Sequence, residues 1–287
     1  MLRVASAISV ASVALGFAAP AAVPPPRFDS AAAWRLVRAQ LSYGQRPAGS
    51  PQLRRLADAL RRRLPNGRFE DIPGQPGLRN VVGTLPGRLP AVVIGAHYDT
   101  LASPSGFVGA NNGAAGTAAV VEAARTLAKA PRPVGARELR FVLFDGEEPA
   151  SGTPEQCPDF YDCGLRGSRA YVAAHPGETA EMVLLDYIAG KHVSLPREGS
   201  STTWLWRRLR AAAREAGAAA IFPPGTGQTI LDDHTPFLHA GVGAIDLIDW
   251  SYPGHSLSDR LDHISRASLG AAGQTVVQLA ASLRRGR

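Results

Sequence analysis

One alternation constrains this chain more than any other feature. Short, almost wholly apolar runs bounded by Gly and Pro take turns with longer stretches of helical spacing. FEDI, RNVVGTL, AVVIGA, LRFVLF, MVLLDYI and VGAIDLI read as strands, and GTAAVVEAARTLAKA, GLRGSRAYVAA and TTWLWRRLRAAAREA between them read as helices. DHTPFLHA is a candidate short helix. Strands apolar on both faces are those covered on both sides by helices. The pattern therefore predicts an α/β chain, a single-domain three-layer α/β/α sandwich around a central, mostly parallel mixed sheet. Two amphipathic helices precede the strands. Asp29 and Ser30 cap one that carries Trp34, Val37 and Leu41 on a face, and Pro51 opens another with Leu53, Leu56, Leu60 and Leu64. A closing helix aligns Leu269, Ala272, Val276, Leu279 and Leu283. No internal repeat or long linker divides residues 29–287, so one core is expected across them.

Residues 1–22 differ in kind. A positive start at Arg3, the apolar run VASAISVASVALGFA and the small residues of AAPAAV have the layout of a signal peptide, followed by a Pro-rich mature N-terminus at 23–28. The run is shorter than the roughly 20 residues of a membrane span, so no stable span is expected after cleavage; an uncleaved anchor is the alternative. Export predicts a secreted or cell-envelope protein. In that oxidising setting Cys157 and Cys163 would close a small disulfide loop, with a zinc knuckle as the alternative that lacks a second cysteine pair. The same loop follows Glu148 and is placed to act as a lid. The net charge of +7 comes from arginines along helices such as RRLADALRRRL. No aromatic-plus-basic pattern accompanies them, so they read as solvated faces and no nucleic acid partner is expected.

In open sheets of this kind ligands gather beyond the carboxyl ends of the strands. His97 and Asp99 follow AVVIGA, Glu147 and Glu148 follow LRFVLF, Asp186 ends MVLLD, and His255 lies in the loop after AIDLI. Singly, each is an ordinary strand-end polar residue. Together they supply the nitrogen and oxygen donors that zinc accepts, with Asp99 suited to orient His97.

The ordered series GAHYDT, GANNGAAGTAAVVE, FVLFDGEE, GLRGS, VLLDYI, DDHTPFL and GHSLSD resembles the zinc aminopeptidase and glutaminyl cyclase superfamily from about Gly44 to the C-terminus. The resemblance implies a zinc exopeptidase-like catalytic domain over 29–287 that acts on peptide N-termini. One metal would take His97 and Asp186 and a second Glu148 and His255, with Asn112 between them. Glu147 would be the general base, and Asp232 with Asp186 would belong to a supporting hydrogen-bond network. Hydrolysis of the N-terminal residue is the leading expectation. Cyclisation of an N-terminal glutamine to pyroglutamate is the second, and a non-catalytic peptide-binding relative the third.

Asn112 stands where the family carries a metal-bridging aspartate. A carboxylate gives one anionic oxygen to each of two ions, whereas an amide offers a single neutral oxygen. One or two zinc ions are expected, with the second site weakened. Against cyclisation, the segment after Glu148 lacks the tryptophan that cyclases place there, and Gly254 rather than an aromatic residue precedes His255. Trp250 and Tyr252 are near enough in sequence to supply another wall, or else pack at the sheet edge. His234 and Asp233 read either as buried hydrogen-bonding residues or as groups lining the site.

Overall fold

In the computed structural model, which describes residues 26–150 and 159–286, the predicted strands form one six-stranded sheet. The strands are β1 (Arg68–Asp71), β2 (Arg79–Leu85), β3 (Arg88–His97), β4 (Arg137–Phe144), β5 (Thr179–Leu185) and β6 (Gly243–Leu247), in the order β1-β2-β4-β3-β5-β6. β3 pairs parallel with β4 and with β5, and β5 parallel with β6. β1 and β2 form the antiparallel edge. The α/β fold expected from the alternation is the observed one: Val92, Val93, Ile94, Leu139, Phe141, Val142, Val183 and Leu184 are all buried, whichever face of the pleat they occupy. Burying each such side chain contributes roughly 1.5–3 kcal/mol relative to leaving it exposed.

One helical layer holds α1 (Ser30–Leu41), α2 (Pro51–Arg61), α3 (Gly116–Ala128), α6 (Thr203–Glu215) and α8 (Arg266–Arg284), whose apolar faces merge into the larger core with Val92, Ile94, Leu139, Phe141 and Leu143. The opposite face of the sheet packs Val82, Val93, Val142 and Phe144 against Tyr171 of α5 (Arg166–Ala174) and Phe237 of α7 (Thr235–His239). A short α4 (Phe160–Cys163) precedes α5. Asp29 caps α1 and Pro51 opens α2 as expected, whereas Ser30 is the first residue of the helix rather than a cap and Ser50 is a cap the sequence reading did not name. The Asp29 carboxylate accepts from Ala32 N, and the Ser50 hydroxyl, just before Pro51, accepts from Leu53 N.

The segment Ala110–Ala115, for which the sequence predicts no element, is a wide π-type turn kinked at Asn112 and Gly113 before α3 begins. The segment expected to be a signal peptide, most of the Pro-rich segment and Cys157 lie outside the described residues, and with them the expected Cys157–Cys163 pairing and the expected lid. Among the described residues no helix is long and apolar enough to cross a membrane.

Candidate metal centre

The parallel register sets His97 opposite Phe144 at the ends of β3 and β4, so the residues after each strand emerge at one rim. Asp99 joins the two ends. Its Oδ1 accepts from Glu147 N at 3.3 Å and its Oδ2 from Glu148 N at 3.2 Å, while Oδ1 lies 3.5 Å from His97 Nδ1. Arg166 braces the same turn from below, donating to the carbonyls of Gly146 and Glu148. Asp186, directly after β5, is tied to β6 through its N–H on Leu247 O at 3.0 Å, and its Oδ1 stands 3.5 Å from His97 Nε2.

The ANNG turn brings Asn112 over this rim. Gly113 has φ +87, and a Cβ there would sit 2.6 Å from Asp99 O and 3.3 Å from His97 Cε1, so only glycine permits the approach. Asp259 fixes the turn from the other side. Its two oxygens accept from Asn111 N (2.8 Å) and Asn112 N (2.9 Å), and Tyr252 OH adds a third bond at 2.7 Å. Asn112 Nδ2 then donates to Glu148 Oε1 at 2.7 Å and to Tyr187 OH at 3.3 Å. His255 is half-exposed at the mouth, with Nε2 3.8 Å from Glu148 Oε1.

So many acids in a dry place perturb one another. Burial, followed by the charge of Glu148, pushes the Glu147 carboxyl well above its ordinary value. Burial, reinforced by Asp99, lifts Glu148 to about 8. Burial together with Asp186 lifts Asp232 to about 6. Burial opposes a charged His97, but Glu147, Asp186 and Asp99 outweigh it and hold the imidazole well above its usual range. Burial lowers His255. Such a cluster of carboxylates around an imidazole has one common requirement, a positive charge at its centre.

Among the described residues neither His97 nitrogen has a hydrogen-bond partner although both are buried, and the oxygen of Asn112 is likewise buried without one. Orphaned donor atoms facing carboxylates fit a bound cation. The donors come in pairs, however: His97 with Asp186, and Glu148 with His255. Among the described residues no group of three or more His, Cys, Asp or Glu converges on one point. These donor types are ones zinc accepts, with the Asn112 oxygen, water or substrate left to complete the coordination. The side chain between the pairs is an amide, which offers a neutral oxygen where a carboxylate would offer an anionic one to each of two ions.

His97, Asn112, Glu147, Glu148, Asp186, Asp232 and His255 are thus brought to one rim. All but His97 line a cleft of about 320 Å³ whose apolar walls are Phe160, Tyr187, Ile230, Leu231 and Trp250. Asp99 lies beneath it, fully buried. His234 stays out, wholly buried with Nε2 on Ser200 Oγ (2.9 Å) and 3.2 Å from Glu198. Asp233 is also fully buried. Trp250 is a wall of the cleft, and Tyr252 supports Asp259. Sequence reasoning missed Tyr187, Asp259 and Arg166, each of which sits inside a motif already singled out, as the Tyr of VLLDYI, the last Asp of GHSLSD and the Arg of GLRGS.

A parallel-centred α/β sheet with an acidic, imidazole-containing rim is an arrangement suited to holding a cation. The chain belongs to peptidase family M28, whose model matches residues 80–280. It is 28% identical over 204 residues to aminopeptidase YwaD of Bacillus subtilis (strain 168), covering 64% of this chain and 39% of that protein. It is also 28% identical over 232 residues to the glutaminyl-peptide cyclotransferase of Bos taurus, covering 68% of this chain and 63% of that protein. The chain thus spans less than two thirds of the length of either relative. Among solved structures it superposes on an Acidobacteriales bacterium glutaminyl cyclase with TM-score 0.79 and 27% identity, covering 95% of this chain and 100% of that one. A leucine aminopeptidase precursor from Bacteroides thetaiotaomicron VPI-5482 gives 0.78 and 26%, covering 90% and 98%.

Proposed function

We propose that this chain is an exported zinc-dependent aminopeptidase that hydrolyses the N-terminal residue from peptides. The observation that carries the reading is the placement of Glu147. Its carboxylate lines the cleft and lies 3.6 Å from His97 Nδ1, beside donor pairs that suit a divalent ion and opposite an apolar wall. Zinc held by Glu148 and His255, or by His97 and Asp186, with the Asn112 oxygen, would supply Lewis acidity to a water and to the scissile carbonyl.

The residues of the chain do the rest. The acidic lining attracts the free N-terminal ammonium of a peptide, and Phe160, Tyr187, Ile230, Leu231 and Trp250 receive its first side chain. Glu147 accepts a proton from the water as its oxygen adds to the carbonyl carbon. The same carboxyl then delivers that proton to the amine nitrogen as the C–N bond breaks. For this Glu147 must begin ionised, a state that a cation bound among the neighbouring carboxylates would favour.

Cyclisation of an N-terminal glutamine is the second reading. It is supported by the superposition on a glutaminyl cyclase over 95% of this chain and by a donor set suited to a single ion. The test is to load the purified protein with zinc and assay it against aminoacyl p-nitroanilides and against peptides with N-terminal glutamine. We expect release of nitroaniline, lost on chelation and restored by zinc, and lowered at least about 100-fold in Glu147→Gln. Pyroglutamate formation without nitroaniline release selects the cyclase. Tight zinc binding with turnover of neither substrate selects a non-catalytic binding role.

A further inference from the structure

Tyr187 directly follows Asp186 and holds a left-handed backbone, φ +47. A bulky aromatic residue adopts this conformation only where its surroundings fix it. The consequence is a ring turned beneath the loop that carries His255. It meets His255 edge-on at 6.2 Å and lies near-parallel to Trp250 at 6.1 Å, with Tyr252 at 5.8 Å. The ring takes the space beside His255 that a side chain at position 254 would need. A Cβ on Gly254 would fall 2.3 Å from Tyr187 Cζ and 2.5 Å from its hydroxyl. Gly254 is therefore small because Tyr187, arriving from a different strand, is large.

An apolar wall needs the ring but not the hydroxyl, and the hydroxyl reaches into the site. It accepts from Asn112 Nδ2 at 3.3 Å and donates to no acceptor among the described residues, which leaves its proton available. It lines the cleft beside Glu147, Glu148, Asp186 and Asp232, all acceptors when ionised. A substrate carbonyl oxygen gaining negative charge would be repelled by these groups and needs a donor at the same wall.

We propose that Tyr187 is a catalytic residue whose phenolic O–H donates a hydrogen bond to the carbonyl oxygen of the first peptide bond as water adds to it, with Gly254 providing the room. The step rests on the aminopeptidase reading. The phenol keeps its proton throughout, and the proton that leaves with the amine is the one carried by Glu147.

The test is Tyr187→Phe, which keeps the ring, in the zinc-loaded full chain with two readouts. In steady-state hydrolysis of a leucine p-nitroanilide, kcat should fall about 100-fold with KM within about twofold. In calorimetry, an aminoalkylphosphonic acid, a tetrahedral anion, should lose at least about tenfold in affinity, while leucinol, an amino alcohol without an oxyanion, keeps its own. A variant with wild-type kcat and raised KM makes Tyr187 a wall only and overturns the proposal. A wild type that hydrolyses no aminoacyl substrate defeats the aminopeptidase reading, and the calorimetric pair then decides Tyr187 alone. Equal loss of both ligands, loss of neither, or a wild type that binds the phosphonate no better than leucinol overturns the role.

Discussion

Asn112 turns its amide nitrogen toward Glu148, Nδ2 lying 2.7 Å from Oε1, in the position where a second carboxylate would face the first across a metal. The amide thus stabilises Glu148 without an ion, through a hydrogen bond that a carboxylate could not donate.

Exchanging that amide for an acid should make the centre depend on metal. In Asn112→Asp two carboxylates meet in a buried place without a cation, so the chelated variant should melt several degrees below chelated wild type. With zinc it should bind at least about tenfold more tightly than wild type and melt at or above it. Thermal melts with chelator and with zinc, together with elemental analysis, check both halves. A variant that melts like wild type in chelator leaves no place for the proposed contact.

Asp259 carries the Asn112 turn on two backbone N–H groups and one phenol. Asp259→Asn keeps the shape but leaves one oxygen to serve both N–H groups. We expect a loss of about 1–3 kcal/mol in stability and a roughly tenfold fall in zinc affinity. Tyr252→Phe, which spares both backbone bonds, should lose less of each. Urea denaturation and competition with a chromophoric chelator measure the two quantities, and a larger effect from Tyr252→Phe would show that the phenol, not the turn, is what matters.

The placement of the strand-end candidates was legible because they adjoin the most readable feature of the chain, apolar runs whose ends mark the rim of a parallel sheet. His97, Glu148 and Asp186 follow from that alone. The direction in which Asn112 points does not, since it depends on Glu148, 36 residues further on, and on Asp259, 147 residues away. Within GANNGAAG nothing local announces the π-type turn. Asp259 sits in a polar loop and looks like a solvated surface acid until the fold buries it. Tyr187 is hidden by the apolar run it closes, because side-chain alternation along a strand says nothing about a left-handed residue just past its end.

The crowding of acids should make the metal-free protein more stable in mild acid than in mild alkali. Burial lifts Glu148 to about 8, Asp145 to about 7, and Asp232 and Asp259 to about 6, all above their unfolded values of 4.5 for Glu and 3.8 for Asp. Between each pair of values the folded state binds more protons than the unfolded one, so stability falls as pH rises through the folded pKa. His97, also raised, acts in the same direction. In chelator the melting temperature should therefore climb as pH falls from about 8 to about 5, and zinc should flatten the slope by supplying the charge that protons otherwise supply. A chelated protein whose melting temperature rises with pH over that range contradicts the account.

A buried acid–imidazole pair lies away from the chemistry. Glu198 and His234 are fully buried 3.2 Å apart, and Glu198 also accepts from Ser200 N and Oγ and from Ile230 N. Burial opposes the Glu198 charge, but the His234 bond and the backbone donors outweigh it and hold the carboxyl at about 2. Removing the imidazole in His234→Leu leaves that buried carboxylate without its His234 contact. Such losses cost about 3–5 kcal/mol, and the hydrogen bonds that survive place the expectation at the lower end, about 3 kcal/mol. The double variant Glu198→Leu/His234→Leu, which removes the charge along with its partner, should recover part of that loss despite deleting more polar contacts. Urea denaturation of both proteins in zinc measures the difference. A double variant less stable than the single one would mean that the backbone bonds to Glu198, rather than the buried charge, govern the loop.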